Sequence, residues 1–157
     1  MRLNVQMAKP EDYPELWRLF HDTVHHVNRR DYTPQQLEAW APEKVDLSHW
    51  SLRLEGINPF VVTIEGKIVG FSDVQADGLV DMFYVHHAWQ RKGIGSRLFT
   101  EIHHKAEQMK LAELHSHVSM TARPFFEVHG FHAVTPQQVT INGVTLKNFL
   151  MRKTLSV

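Results

Sequence analysis

The chain has no cysteine in 157 residues. That excludes disulfide staples, thiolate metal sites and a cysteine nucleophile that could carry an acyl group. It has no surplus of either charge, since 17 Lys and Arg balance 17 Asp and Glu. Phosphate neutralisation on nucleic acid needs a basic excess, and anionic lipid needs a polybasic patch, so neither partner is expected. Long apolar runs are also missing, and the longest fall far short of the ~20 residues a membrane helix requires. Met1-Arg2-Leu3-Asn4 reads as the start of a strand, not as a signal peptide with an apolar centre. A soluble, cytoplasmic protein is the expectation. No internal repeat, low-complexity tract or linker interrupts the chain. Histidine is the one surplus, with 12 residues that gain charge as pH falls through about 6.5.

The length suits one well-buried domain spanning residues 1–157, and 43% apolar with 22% charged residues is the composition of an ordinary globule. Leu3 to Met7 alternates as a strand. Lys9-Pro10-Glu11-Asp12 opens a helix over about residues 11–28, with Leu16, Leu19, Phe20 and Val27 on its apolar face. Thr33-Pro34-Gln35-Gln36 is an N-cap with proline at the first helical position, leading into a short helix through Leu37 and Trp40. Asp46 to Glu55 is a further short helix. Phe60–Ile64 and Ile68–Phe71 form a hairpin about Glu65-Gly66-Lys67, and Asp77-Gly78 precedes a strand over 79–85. A helix over 94–109 carries the stripe Ile94, Leu98, Ile102, Ala106 and Met109. A strand over 113–118 follows, with Leu114, Ser116 and Val118 on one face. Arg123 to His129 is a short helix closed by Gly130, and residues 131–141 and 144–152 pair across Asn142-Gly143. The expected class is α+β. Hairpins imply antiparallel pairs, and the 79–118 strand–helix–strand unit implies one parallel crossover.

The most informative stretch runs from Leu79-Val80-Asp81-Met82-Phe83-Tyr84-Val85 into Gln90-Arg91-Lys92-Gly93-Ile94-Gly95. An apolar strand feeding a glycine-bearing turn at a helix N-terminus gathers free N–H groups and the positive end of the helix dipole, so it suits an anion such as a diphosphate. Arg91 and Lys92 add two cations, and no acid lies between Asp81 and Glu101. The dinucleotide fingerprint fits poorly, because Leu98 stands where its third glycine belongs, and a P-loop lacks its terminal Gly-Lys-Ser/Thr.

Gln90, Gly93 and Gly95 resemble the Gln/Arg-x-x-Gly-x-Gly/Ala signature of the GNAT superfamily of N-acyltransferases. The preceding Phe83 to Trp89 is similar to that family's strand and turn. Ala122 to Phe131 is similar to a second family block, a small helix ending in Gly-Phe. The Tyr32–Trp40 segment and the Asn148 to Met151 ending also resemble a YafP-like branch. The resemblance implies a mixed, twisted sheet of six or seven strands flanked by helices, with a splayed parallel strand pair (79–85 and 113–118) holding acetyl-CoA. N–H groups of residues 91–96, Ile94 and Ser96 included, would cradle the CoA diphosphate with Arg91 and Lys92. Phe83, Tyr84 and Val85 would carry the pantetheine arm as though it were a strand, and an N–H near Val85 would polarise the thioester carbonyl. Ser119, Phe125 and Phe126 would complete the CoA site.

Acetyl transfer to an amine needs a proton acceptor, because an amine near pKa 10 is almost wholly protonated at pH 7. Asp81 interrupts an apolar strand two residues before Phe83 and is the candidate base; a purely structural hydrogen-bonding role competes with this. Many members of the resembled family protonate the departing thiolate with a tyrosine, and Phe126 occupies that position. Tyr84 and His117 are minor options for moving protons. His115 with His117 and His21 with His25 have spacings that can hold a metal, but neither pair has an evident third ligand and no metal is expected. His86-His87 and His103-His104 read as solvated. Tyr32, Trp40 and Trp50 are aromatic in a polar region and would wall the acceptor, or else form satellite core. The expected activity is direct N-acetylation of a primary amine on a small molecule, by the monomer or a homodimer. A CoA-binding module without turnover and an acyltransferase acting on a peptide N-terminus are the alternatives.

Overall fold

A computed structural model describes residues 2–155. β1 (Leu3–Met7) leads to a 3-10 turn and α1 (Tyr13–Val27), then to α2 (Pro34–Trp40) and α3 (Leu47–Ile57). β2 (Phe60–Ile64), β3 (Lys67–Ser72) and β4 (Phe83–Val85) follow. After α4 (Ile94–Gln108) come β5 (Glu113–Ser119), α5 (Arg123–Val128), β6 (His132–Ile141) and β7 (Val144–Thr154). The local signals act as expected. Thr33 caps α2, its hydroxyl accepting from the Gln36 N–H at 3.2 Å while the Gln36 side chain accepts from the Thr33 N–H at 2.9 Å. Glu65-Gly66 and Asn142-Gly143 both take positive φ, as two-residue hairpin turns require.

The seven strands form two antiparallel sheets, ordered β1-β2-β3-β4 and β5-β7-β6. One parallel bridge, Leu79 to His115, joins them. The expected 79–85 strand is therefore shorter than its apolarity suggests. Val80 N–H donates to the His115 carbonyl at 2.9 Å and His115 N–H to the Gly78 carbonyl at 2.9 Å, and then the two chains part. Only Phe83–Val85 pairs with β3. Between bridge and strand, side chains stand in for a ladder. Ser116 Oγ donates to the Val80 carbonyl at 2.7 Å, and Ser72 Oγ to the Met82 carbonyl at 2.5 Å. The buried Asp73 carboxylate accepts from the Met82 N–H at 2.7 Å.

Two hydrophobic clusters lie on opposite faces of this divided sheet. One packs Leu16, Phe20 and Val24 of α1 with Leu54 of α3 against Val61 and Phe71. The other packs Leu98, Phe99 and Ile102 of α4 against Val62, Val69 and Leu114. Met109, expected in the α4 stripe, lies beyond the last helical residue and is 39% exposed, because the helix ends before its turn returns to the sheet. His103 is half-buried rather than solvated. Its Nδ1 lies 2.7 Å from the Phe99 carbonyl, and Lys153 Nζ donates to its Nε2 at 2.8 Å. Burial and the neighbouring Lys153 both push its pKa down.

Gly78 sits at the joint between the sheets with φ +90°, and a Cβ there would lie 2.5 Å from the Glu113 carbonyl oxygen. Backbone on both sides of that contact cannot yield cheaply. Gly78→Ala should lower unfolding free energy by at least about 2 kcal/mol. Urea denaturation would show it, and a loss under about 0.5 kcal/mol would mean that the joint is pliable.

Candidate active site

Where β4 and β5 part, a cavity of about 480 Å³ opens. Its shape follows from strand alternation. His86 N–H donates to the Val69 carbonyl at 2.8 Å, which makes Gly70 and Val85 a pair without mutual hydrogen bonds. Tyr84 therefore exchanges its main-chain bonds with β3, and the N–H and C=O groups of Phe83 and Val85 point away from β3, toward the gap. The Val85 carbonyl is held there by Thr23 Oγ1 at 3.0 Å and Gln90 Nε2 at 2.8 Å. Side chains alternate the other way. Phe83 packs on Phe99 and Phe126 beside α4 and α5, and Tyr84 packs edge-on against Phe20 of α1.

The glycine turn closes one end. Arg91 has φ +59° and Gly93 φ +83°, so the chain curls before α4 begins. Among the described residues no backbone carbonyl accepts from the N–H groups of residues 91–96. Gln90, Arg91, Gly93, Ile94, Gly95 and Ser96 all line the cavity, and Lys92 is exposed outside the lining. A Cβ on Gly93 would meet no protein atom within 4 Å, whereas one on Gly95 would lie 2.6 Å from Phe125 Cζ. The first glycine serves the left-handed conformation; the second lets the Phe125 ring seat against α4.

The other end carries the polar side chains. Asp81 lines it beside Tyr84 and Trp40, with one carboxylate oxygen 3.6 Å from the Arg53 guanidinium. Its main-chain N–H lies 3.3 Å from the Asp73 carboxylate. Burial pushes the Tyr84 phenol far above the usual tyrosine range, opposed by the charge of Arg53. A phenol so placed is a very weak acid. His117 is exposed on β5, and its Nδ1 lies 3.1 Å from Gln137 Nε2. Ser119 Oγ accepts from Asn28 Nδ2 at 3.2 Å and from the Ala122 N–H at 3.1 Å, which leaves its own proton to donate into the cavity. Phe126 also borders the cavity, 2% exposed and packed on Phe83, Phe99 and Phe131.

Two of the three expected acceptor aromatics stand elsewhere. Trp50 is buried in the α1–α3 cluster, its indole N–H donating to the Tyr13 carbonyl at 2.8 Å. Tyr32 is also buried, its hydroxyl donating to the Lys147 carbonyl and accepting from the Met120 N–H at 3.0 Å. Both rings are core that ties helices to strands, and Trp40 alone of the three lines the cavity. Thr23, Val27 and Asn28 line it too, a contribution of α1 and its end that the sequence pattern did not reveal. Their helical spacing marks Val27 as core, and nothing local tells that this stretch crosses the mouth of the gap.

Comparison with known proteins fits this geometry. A model of the acetyltransferase (GNAT) domain matches residues 28–155. The N-acetyltransferase YafP of Escherichia coli K12 is 33% identical over 150 residues, covering 96% of this chain and 95% of its own. A crystal structure of a GCN5-related N-acetyltransferase from Rhodopseudomonas palustris is 28% identical with a TM-score of 0.94, covering 99% of this chain and 97% of that one. The PaiA N-acetyltransferase of Thermoplasma acidophilum, solved in complex with coenzyme A, shares the fold at 17% identity and a TM-score of 0.78, over 99% of this chain and 100% of its own. With an amide-lined gap between parting strands and a domain model spanning most of its length, the chain belongs to the GNAT family of N-acetyltransferases.

Proposed function

We propose that this enzyme moves an acetyl group from acetyl-CoA to a primary amine on a small molecule, in one step within a ternary complex. The observation that carries the reading is the row of outward main-chain groups, at Phe83 and Val85 and again at residues 91–96, running along one continuous cavity. The curled turn suits a diphosphate, because its N–H groups and the start of α4 face the same space and Arg91 adds charge. Phe83 and Val85 suit the amide-bearing pantetheine arm as an added strand. Val85 N–H is placed to receive negative charge growing on the thioester carbonyl oxygen.

Asp81 then takes the first proton that the amine must lose, with the Arg53 guanidinium 3.6 Å from its carboxylate. As the amine nitrogen bonds to the acetyl carbon, the carbon–sulfur bond breaks and the electron pair leaves on sulfur, and the second proton passes from the nitrogen to water or to the departed thiolate as the amide forms. Phe126 offers no proton for that sulfur, and the Tyr84 phenol is too weak an acid to offer one readily. A thiol near pKa 8.5 can depart as thiolate without one. Absence of cysteine leaves no thiol to carry an acyl group between half-reactions. The acceptor end, bounded by Trp40, Tyr84 and Asn28, holds a single carboxylate and suits an amine on a compact body.

Thermal shift should rise selectively with CoA and acetyl-CoA, and equal or larger shifts with NAD or ATP would overturn the assignment. Gly93→Ala puts a methyl group into the cradle and strains φ +83°, so calorimetry should show CoA affinity at least tenfold weaker, about 1.4 kcal/mol. Asp81→Asn should lower turnover of a responsive amine about 10²- to 10³-fold with CoA binding intact, within the range for a general base. Full turnover by that variant across pH 6–9 would remove Asp81 from the mechanism. CoA binding without thiol release from acetyl-CoA across an amine panel would leave a binding module instead.

A further inference from the structure

Asp73 is wholly buried and belongs to neither the cavity lining nor any strand. It follows Ser72, the last residue of β3, at the point where the β3–β4 ladder ends with the Ser72–Phe83 pair. The next pair in register would set Asp73 opposite Met82. Instead of that main-chain pair, the side chain crosses the gap. Its Oδ1 accepts from the Met82 N–H at 2.7 Å, and its Oδ2 accepts from the Asp81 N–H at 3.3 Å. Gln75 Nε2 donates to the same Oδ2 at 2.5 Å and is itself anchored on the Ile57 carbonyl at 3.3 Å. One carboxylate thus grips two successive amides of a segment that no strand pairs.

We propose that Asp73 is a positioning residue for transfer: by fixing the main chain at Asp81 and Met82, it sets the place from which the Asp81 carboxylate meets the incoming amine. This rests on the reading of Asp81 as the base. The need for such a grip follows from the fold. Residues 81 and 82 lie between the single bridge to β5 and the short ladder to β3, so neither sheet fixes them by itself. Ser116 and Ser72 hold the carbonyls of Val80 and Met82, but among the described residues only Asp73 holds the N–H groups of Asp81 and Met82. A carboxylate is the side chain that suits two N–H donors and an amide at once, since it accepts on both oxygens and donates on neither.

The buried group has a cost that shows on titration. Removal from water raises the Asp73 pKa to about 6, against the opposing bonds from Met82, Gln75 and Asp81. The charged group facing it is Asp81, which adds to the rise, and the Asp81 carboxylate is in turn 3.6 Å from Arg53 of α3. Protonation turns one accepting oxygen into a hydroxyl and takes away part of the grip. The positioned state therefore belongs to the ionised form, present at pH 7 and lost as pH falls through about 6.

The test is a kinetic cycle with one direct readout. Asp73→Asn should lower kcat for a responsive amine about tenfold or more while KM for acetyl-CoA and the Kd of CoA stay within about threefold. The double variant with Asp81→Asn should be no slower than Asp81→Asn alone, because a residue acting through Asp81 has nothing left to position. Multiplicative losses in the double variant, or a CoA Kd that weakens along with kcat, would make Asp73 a general support of the fold and overturn the proposal. Should Asp81→Asn itself keep full rate, the base assignment fails; a drop in Asp73→Asn would then have to be explained without Asp81. Where Asp73→Asn does not fold, amide NMR on the unaltered protein decides. The Asp81 and Met82 N–H resonances should titrate together with a midpoint near pH 6, and their failure to move there would mean that Asp73 does not hold them.

Discussion

Everything in this molecule turns on a sheet that fails to close. Main-chain N–H and C=O groups withdrawn from water must find partners, and a continuous ladder is the usual way to supply them. Here the segment that leads into β4 touches β5 through one bridge, Leu79 to His115, and the two then separate. The unpaired groups sort into two sets. Those nearest the bridge are taken up by Ser72, Asp73 and Ser116; farther along, the Val85 carbonyl is taken up by Thr23 and Gln90, and the groups of Phe83 with the Val85 N–H face the cavity. Under the proposed function, the second set is what would meet the acyl donor. The site is made from the bonds that the sheet leaves unmade.

Two clusters keep the gap from collapsing. Phe83 is wedged among Phe99, Phe125 and Phe126 on the α4–α5 side, and Tyr84 is wedged against Phe20 and Phe71 on the other. Neighbouring residues of one short strand thus anchor opposite layers, which holds β4 flat while its edge stays free. Thr23 and Gln90 supply the remaining restraint by fastening the Val85 carbonyl from α1 and from the glycine turn. The same carbonyl ties the glycine-turn end of the cavity to the α1 side.

The parts legible in the sequence were those in which local chemistry decides structure. Gly93 and Gly95 marked the turn because left-handed φ and close packing leave few substitutes, and the Thr33 and Asn142-Gly143 signals are equally local. Apolarity over 79–85 suggested a full strand, and burial does explain Val80 and Met82, but pairing depends on where β5 runs. Trp50 and Tyr32 looked available because their sequence neighbours are polar, whereas α1 and β7 cover them. Asp73 left no mark of its own. An aspartate between a strand and a loop reads as turn chemistry, and only the tertiary fold brings Met82 within 2.7 Å of it. The family pattern pointed to the glycine turn and β4, which do line the cavity, whereas the part lined by α1, α2 and β5 shows only in the tertiary arrangement.

The brevity of β4 has an evolutionary corollary. Its three residues alternate between two buried layers, so shifting the register by one position would send Phe83 to the layer of Tyr84 and turn the outward amides inward. Gaining or losing a single residue between Met82 and His86 would therefore exchange lining for core in one stroke. Length variation among relatives should gather in the connection around Ala76 and Asp77, which is exposed, and spare the strand itself.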